Sequence, residues 1–385
     1  MRQPHRQHWD IFCKIVDNFG DIGVCWRLSQ QLAKEHSLAV RLFIDDFITA
    51  QKIIPDLDSA LHTQTIQGVV ITSWPSLNTT PADVVIGAFS CELPDSYLQQ
   101  MVRQLSIWIN LEYLSAETWV GDFHAKPSPQ PTLAITKQYF FPGFKDDTGG
   151  LIRERHLIAE RDVFLASKTQ QTAFWQALDI SKPIEELENS IKISLFCYPQ
   201  ANRRALLSTL EASKQAIDLF TPLNSTTIDD ILIDFAAETE RTLRKGNVTV
   251  HLLPFLSQSH YDHLLWACDL NFVRGEDSWI RAIWAGKPFV WQPYIQTEQT
   301  HIKKMQAFLA MYTSATNDEI KSILVDAHLS WSNAQRTDTT ALTRLIKNLS
   351  SLFAYSQQQT NALACQPDLA TKLVFFSENL PKIKV

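Results

Sequence analysis

No apolar run in this 385-residue chain approaches the ~18 residues that cross a bilayer. The opening stretch, MRQPHRQHWD, has no apolar signal core either. A cytoplasmic protein with no membrane partner is the expectation. No two of the six cysteines, at positions 13, 25, 91, 197, 268 and 365, are close enough to form a CxxC pair. His124, His251, His260 and His301 show no ligand spacing. Neither a disulfide scaffold nor a metal site is expected, and Cys13, Cys91, Cys197 and Cys268, in or beside apolar runs, suit buried reduced thiols. Charge of one sign never accumulates: 35 basic residues against 41 acidic give −6, so no footprint for nucleic acid or an anionic membrane emerges. A G-x-G-x-x-G fingerprint and an internal repeat are both missing.

What is present is the material for two α/β halves. The length exceeds what one core usually serves, and 21 Phe and 11 Trp supply that core with some surplus for stacking. In the first half the run Ile11-Phe12-Cys13-Lys14-Ile15-Val16, apolar but for Lys14, reads as a buried strand. A loop over Asp17–Gly23 leads into a helix over Val24–His36. Strands follow at Val40–Ile44, Val69–Trp74, Val84–Phe89 and Ser106–Leu111. Glu112–Arg155 reads as long and irregular, and loops of that length are more often functional than idle. The second half restarts at Ile191–Phe196, with strands at Ala216–Phe220, Val248–Leu253, Leu270–Val273 and Phe289–Trp291. Strands separated by helices imply parallel sheets with right-handed crossovers, so the fold class is α/β. Polar, acidic Thr169–Asn189 reads as a linker between domains at 1–168 and 190–357. Helical patterns run from Thr300, and the last of them, around Asp368–Leu380, is placed to complete the first domain with residues 358–385.

The stretch RGEDSWIRAIWAGKPFVW, Arg274–Trp291, carries the most chemistry. A strand runs into the turn Arg274-Gly275-Glu276-Asp277-Ser278, and a short amphipathic helix follows. Such a helix start binds phosphate or carboxylate, and Arg274 and the Ser278 hydroxyl add directional donors. Glu276 and Asp277 would repel a phosphate they faced, so they point to neutral hydroxyls, as on a nucleotide sugar. The competing readings are an ion pair of Arg274 with Glu276 or Asp277, and an i, i+4 salt bridge from Asp277 to Arg281. Gly286-Lys287-Pro288 reads as a helix stop. At the carboxyl end of the first strand, where open α/β sheets place ligands, lies the loop Asp17–Gly23. Either Asp21 caps the next helix while Asp17 stabilises the turn, or one carboxylate serves as a base.

Five segments in order carry a family resemblance: Asp17–Gly23, Asn110–Glu117, Pro127–Gln130, Gly149–Glu154 and Arg274–Ser278. Together they resemble the bacterial protein-arginine rhamnosyltransferases that modify elongation factor P. The resemblance implies a GT-B architecture, two Rossmann-like domains facing across a cleft. It further implies dTDP-β-L-rhamnose as donor, an arginine of elongation factor P as acceptor, inversion at the sugar, and no metal or other cofactor. Carried over residue by residue, it makes Asp21 the base, with Asp17 and Glu276 as further catalytic acids. The donor pocket would comprise Phe196, Tyr198, Phe255, Gln258, Arg274, Gly275, Asp277 and Ser278, with Phe19 and Gly20 from the first loop. For Phe196 and Phe255 a place in the core competes with that role. Another GT-B sugar transferase or epimerase, and a non-catalytic nucleotide-binding interaction protein, remain the alternatives.

Overall fold

The apolar runs become strands of two separate sheets. A computed structural model describes residues 7–16, 19–74, 79–180, 182–223, 235–295, 299–332 and 339–380. The chain divides into two compact units, Met1–Arg155 with Cys365–Val385, and His156–Ala364.

In the first unit the described strands are β1 (His8–Cys13), β2 (Ala39–Ile44), β3 (Thr63–Ile66), β4 (Val69–Ser73), β5 (Val84–Ala88), β6 (Ile107–Leu111), β7 (Pro127–Pro129) and β8 (Thr136–Phe140). They pair in the order β3-β4-β2-β1-β5-β6-β8-β7. The six inner strands run parallel, and β3 and β7 close the edges antiparallel. From Trp9 to Cys13 every residue of β1 is buried, which is why it reads as a run without alternation. One of those residues is Asp10. Its carboxylate is matched by both arms of Arg41, at 2.8 and 2.7 Å, by the Tyr97 hydroxyl and by Ala82 N.

The second unit holds β9 (Ile191–Leu195), β10 (Ile217–Pro222), β11 (Ala236–Thr239), β12 (Thr242–Lys245), β13 (Val248–Leu253), β14 (Leu270–Arg274) and β15 (Phe289–Gln292). Their order is β11-β12-β13-β10-β9-β14-β15, parallel from β13 to β15. A buried carboxylate recurs here. Asp218 on β10 meets His251 at 2.8 Å, Lys182 at 2.6 Å and the Ser190 hydroxyl. Burial alone would raise its pKa; those hydrogen bonds outweigh burial and hold it below the usual carboxylate range. Both are buried charges with full hydrogen-bonding company, the condition under which such groups are tolerated.

Several expectations change in detail. The stretch read as a linker, 169–189, forms the helices Lys168–Ala177 and Ile184–Glu188 within the second unit. Phe174 and Trp175 are buried there, Trp175 stacked on Phe220 at 4.6 Å; the polar composition hides this apolar side. The division falls at Arg155, because the helix Leu157–Ala166 also belongs to the second unit. The helix Leu369–Asn379 belongs to the first unit, where Leu369 N bonds Leu151 O and Gln31 bonds Asp368. Residues 358–364, by contrast, finish the helix Leu349–Ala364 of the second unit. Inside the region read as irregular, β7 and β8 pair as an antiparallel edge, the place where prolines are accepted in a sheet. Among the described residues no helix is long and apolar enough to cross a membrane.

Candidate functional site

Strand order turns two loops into candidate sites. In an open α/β sheet the ligand crevice lies beyond the carboxyl ends of the two strands at which the winding reverses. In the first sheet those strands are β1 and β5; in the second they are β9 and β14. The loop holding Asp21 follows β1, and Arg274–Ser278 follows β14, with Phe196 and Tyr198 after β9.

At the first switch Asp21 is the second residue of the helix Gly20–Glu35 and only 2% exposed. It does not cap that helix, whose start at Phe19 has no side-chain cap. The carboxylate instead reaches back across the loop, accepting from Val16 N at 2.8 Å and from the Tyr113 hydroxyl at 3.3 Å. So Asp21 performs the turn-stabilising task that the bland reading gave to Asp17. Asp17 lies outside the described residues. Phe19 and Gly20, expected at the donor's edge, open this helix; Phe19 O accepts from Gly23 N, and Lys52 sits over the Phe19 ring at 5.7 Å.

The wall beside Asp21 comes from β5 and β6. Phe89 stacks on Tyr113 at 4.4 Å. Phe89 and Ser90 both hold left-handed φ, 56° and 57°, a conformation that costs a non-glycine residue roughly 1–2 kcal/mol. The same turn sends the Ser90 hydroxyl to Glu112 Oε1 at 2.9 Å, where Asn110 Nδ2 also arrives at 2.5 Å. Beneath the loop lie Cys13, Cys25 and Cys91. A hydrogen bond with Cys13 and then burial hold the Cys25 thiol well above its ordinary range, the Asp21 charge adding to the effect. Burial pushes Cys91 up to about 12. Cys25 and Cys91 are thus protonated packing groups.

At the second switch the turn is braced on every side. Gly275 has φ 63°, the left-handed value that favours glycine. Its N–H donates to Gln292 O at 3.2 Å, and its carbonyl accepts from Trp291 Nε1 at 2.8 Å. The Trp291 ring stacks on Trp279 at 3.7 Å. The Arg274 guanidinium lies over Phe196 at 4.3 Å and Tyr198 at 4.7 Å, and donates to Cys197 O. Cation–π contacts of this kind are worth about 0.5–2 kcal/mol each. The Ser278 hydroxyl, expected to face an anion, is used within the turn: it accepts from Arg274 N and donates to Arg274 O. The helix Asp277–Ala285 starts at Glu276 without a side-chain cap, and Glu276 and Asp277 are half-buried. Arg281, the rival partner for Asp277, has its guanidinium on Asp262 in bidentate geometry at 2.8 and 2.7 Å.

Beyond β13, Phe255 is 51% exposed. Gln258 opens the helix Gln258–Ala267, which Ser257 caps through His260 N. Tyr261 of that helix packs edge-on against Phe196, and burial lifts its phenol above the ordinary range. The residues missed by sequence reasoning are Gln292, Trp291, Phe89 and Tyr113. Gln292 joins three strand ends, its Oε1 accepting from Tyr198 N at 2.8 Å while its carbonyl holds Gly275. Tyr113 lay inside a segment already singled out, and its neighbourhood to Asp21 follows from β6 lying two strands from β1.

Over residues 9–378 the chain matches the family described as Elongation-Factor P (EF-P) rhamnosyltransferase EarP. It is 41% identical over 377 residues to the protein-arginine rhamnosyltransferase of Pseudomonas putida, covering 96% of this chain and 98% of that one. The Pseudomonas aeruginosa protein-arginine rhamnosyltransferase is likewise 41% identical over 379 residues, with the same coverage. A solved structure concerned with EarP-mediated arginine glycosylation of translation elongation factor EF-P superposes with a TM-score of 0.68. It is 31% identical and covers 98% of this chain and 100% of that one. At the level of fold alone, a glycosyltransferase from Rickettsia africae superposes with a TM-score of 0.52 at 8% identity, over 97% and 99% of the two chains. The paired Rossmann-like units are thus those of a GT-B glycosyltransferase, and the chain belongs to the EarP family of elongation factor P rhamnosyltransferases.

Proposed function

We propose that the protein transfers L-rhamnose from dTDP-β-L-rhamnose to an arginine of translation elongation factor P, with inversion and in the cytoplasm, and so activates the factor. One observation carries the reading. The residues selected by family resemblance, Asp21 in one unit and Arg274–Ser278 in the other, fall at the winding reversals of two different Rossmann-like sheets.

The second unit takes the donor. Its uncapped helix start and Arg274 receive the diphosphate and stabilise the charge that dTDP carries away. Losing one preorganised donor to such a charge costs about 3–4 kcal/mol of barrier. Phe196 and Tyr198 act through Arg274, aiming a guanidinium laid across both rings. Phe255, the exposed ring, is then the platform for thymine, with Gln258 beside it. Glu276 meets the rhamnose hydroxyls or steadies the developing oxocarbenium, with Asp277 next to it.

The first unit takes the acceptor. A guanidinium is protonated below pH 12 and is then a poor nucleophile. Asp21 hydrogen-bonds it, aligns one nitrogen, and accepts the proton as the C–N bond forms and the bond to dTDP breaks. The Tyr113 contact, at 3.3 Å longer than a good O–H···O bond, yields to the stronger charge-assisted bond of an arriving guanidinium. Asp17 helps to hold the same group. One displacement inverts the anomeric centre, and no second carboxylate at nucleophile distance is required.

The test is direct. The protein is incubated with dTDP-β-L-rhamnose and elongation factor P, and the factor is weighed by mass spectrometry. A gain of one deoxyhexose, mapped to an arginine, is expected. Folded components that give no gain overturn the proposal, and a donor converted to another sugar nucleotide would replace it with an epimerase.

A further inference from the structure

The stop after the donor-side helix is built by two other helices. Asp277–Ala285 ends on Gly286, whose φ of 65° is the left-handed closing geometry. Its last carbonyls then meet side chains from elsewhere. Arg161 Nη1 donates to Trp284 O at 2.8 Å and Gln357 Nε2 to Gly286 O at 2.8 Å, while the Thr360 hydroxyl shares its proton between Ile283 O at 2.6 Å and Ser356 O of its own helix at 2.9 Å. Arg161 is 3% and Thr360 1% exposed. A Cβ at position 286 would come within 2.5 Å of Gln357 Nε2 and 2.9 Å of Arg161 Nη1, so any other residue there would push these donors off the carbonyls.

Ending a helix does not need such an apparatus. A glycine and water are enough, whereas burying a guanidinium incurs a desolvation cost that Asp162, at 2.8 Å, answers in part. The donors are also placed unusually along the chain. Arg161 stands on Leu157–Ala166, the helix that opens the second unit, and Gln357 and Thr360 stand on Leu349–Ala364, the helix that ends it. A helix of nine residues is stiff and only about 13 Å long at ~1.5 Å per residue, so its carboxyl end cannot shift without moving its amino end. The buried cation also suits the negative end of a dipole whose positive end faces the turn.

We propose that Arg161, Gln357 and Thr360 are positioning residues for the donor. By gripping the carboxyl-terminal carbonyls they set where the helix lies along its axis. That in turn sets where its first N–H groups and Arg274 meet the diphosphate. The inference rests on the reading of the Arg274–Ser278 turn as the diphosphate site. By linkage the coupling is reciprocal: dTDP at one end of the helix tightens the grip at the other.

The experiment uses the full chain. Affinity for dTDP is measured by calorimetry for Arg161→Met, Arg161→Lys, Gln357→Met, Thr360→Val and Arg274→Met, each well below its own melting transition. Hydrogen exchange in 157–166 and 349–364 is followed with and without dTDP. For Arg161→Met a loss of about tenfold in dTDP affinity is expected, from one charged hydrogen bond acting through position, with part restored in Arg161→Lys. Gln357→Met, altering a half-buried side chain that the fold can spare, is expected to lose about threefold. The KM for donor should rise in both, and dTDP should slow exchange in both helices of the wild type but not of Arg161→Met. A purely structural role would lower melting temperatures and leave dTDP affinity within about twofold; that result overturns the inference. If Arg274→Met weakens dTDP while Arg161→Met and Gln357→Met do not, the grip alone fails. If Arg274→Met also binds normally, the diphosphate reading fails and the inference with it.

Discussion

The two switch points occupy the same place in two similar sheets, yet they are held in different ways. Around Arg274–Ser278, support comes from neighbouring strands and from stacked rings: Gln292 and Trp291 on Gly275, Phe196 and Tyr198 on Arg274. At the first switch the Asp21 carboxylate accepts from Val16 N in its own loop and meets, at 3.3 Å, the hydroxyl of Tyr113, whose ring stacks on Phe89. The contrast matches the ligands proposed. A diphosphate is small and of fixed shape, so a turn built in advance at the right spacing stabilises its charge without reorganising. A guanidinium arrives on another protein and must enter a hydrogen-bond network, which is easier where one partner is exchangeable.

The largest effect that would break this comparison is expected at Asp21. Asp21→Ala should lower transfer by about 10²–10⁴ while dTDP affinity, followed by calorimetry, stays within a few-fold. Asp21→Asn, which keeps an acceptor for Val16 N, should be equally slow. A large loss of dTDP binding in either variant would mean that the loop is structural. Next comes Arg274→Lys. An ammonium cannot lie flat between two rings while donating to Cys197 O, so this change should behave like loss of the group, with a fall in kcat/KM of about 10²–10³. Retained activity would show that charge alone suffices and that the bracing is incidental. The smallest effect is expected for Tyr113→Phe, which keeps the stack on Phe89 and removes an exchangeable hydroxyl; acceptor KM should move by less than about threefold. A hundredfold loss there would make the hydroxyl part of the chemistry and the first switch as rigid as the second.

The parts of this protein legible in its sequence are those written in consecutive residues. The runs of β1, β9 and β14 are mostly apolar and do not alternate, because parallel strands covered on both faces have no solvent side. The few polar residues in them, such as Asp10, Ser194 and Asn271, are buried with hydrogen-bond partners. The turn at Arg274–Ser278 is likewise local, with its glycine, its arginine and the helix behind them. Short antiparallel edges such as β7 and β11 escaped, since three or four residues, Pro-Ser-Pro and Ala-Ala-Glu-Thr, carry no periodicity. The amphipathic helix Lys168–Ala177 escaped for the opposite reason: its Phe174 and Trp175 sit in a stretch otherwise polar enough to pass for a linker. Strand order is the deeper omission. Nothing local says that β9 lies between β10 and β14, so Gln292 could not be seen holding Tyr198. Nor could Ser278 be seen bonding backwards to Arg274, because that choice is made by turn geometry rather than by residue type.

The tryptophans beneath the turn have a consequence of an optical kind. Trp279 and Trp291 lie face to face at 3.7 Å and within 10° of parallel, and the indole N–H of Trp291 is bonded to the carbonyl of Gly275. Two indoles so close share their excited states, and one of them touches the peptide proposed to meet the donor. The far-ultraviolet circular dichroism of the pair therefore gives the turn an intrinsic spectroscopic label. Ligand entering at Gly275 should alter its amplitude without any added dye, and Trp291→Phe should silence it.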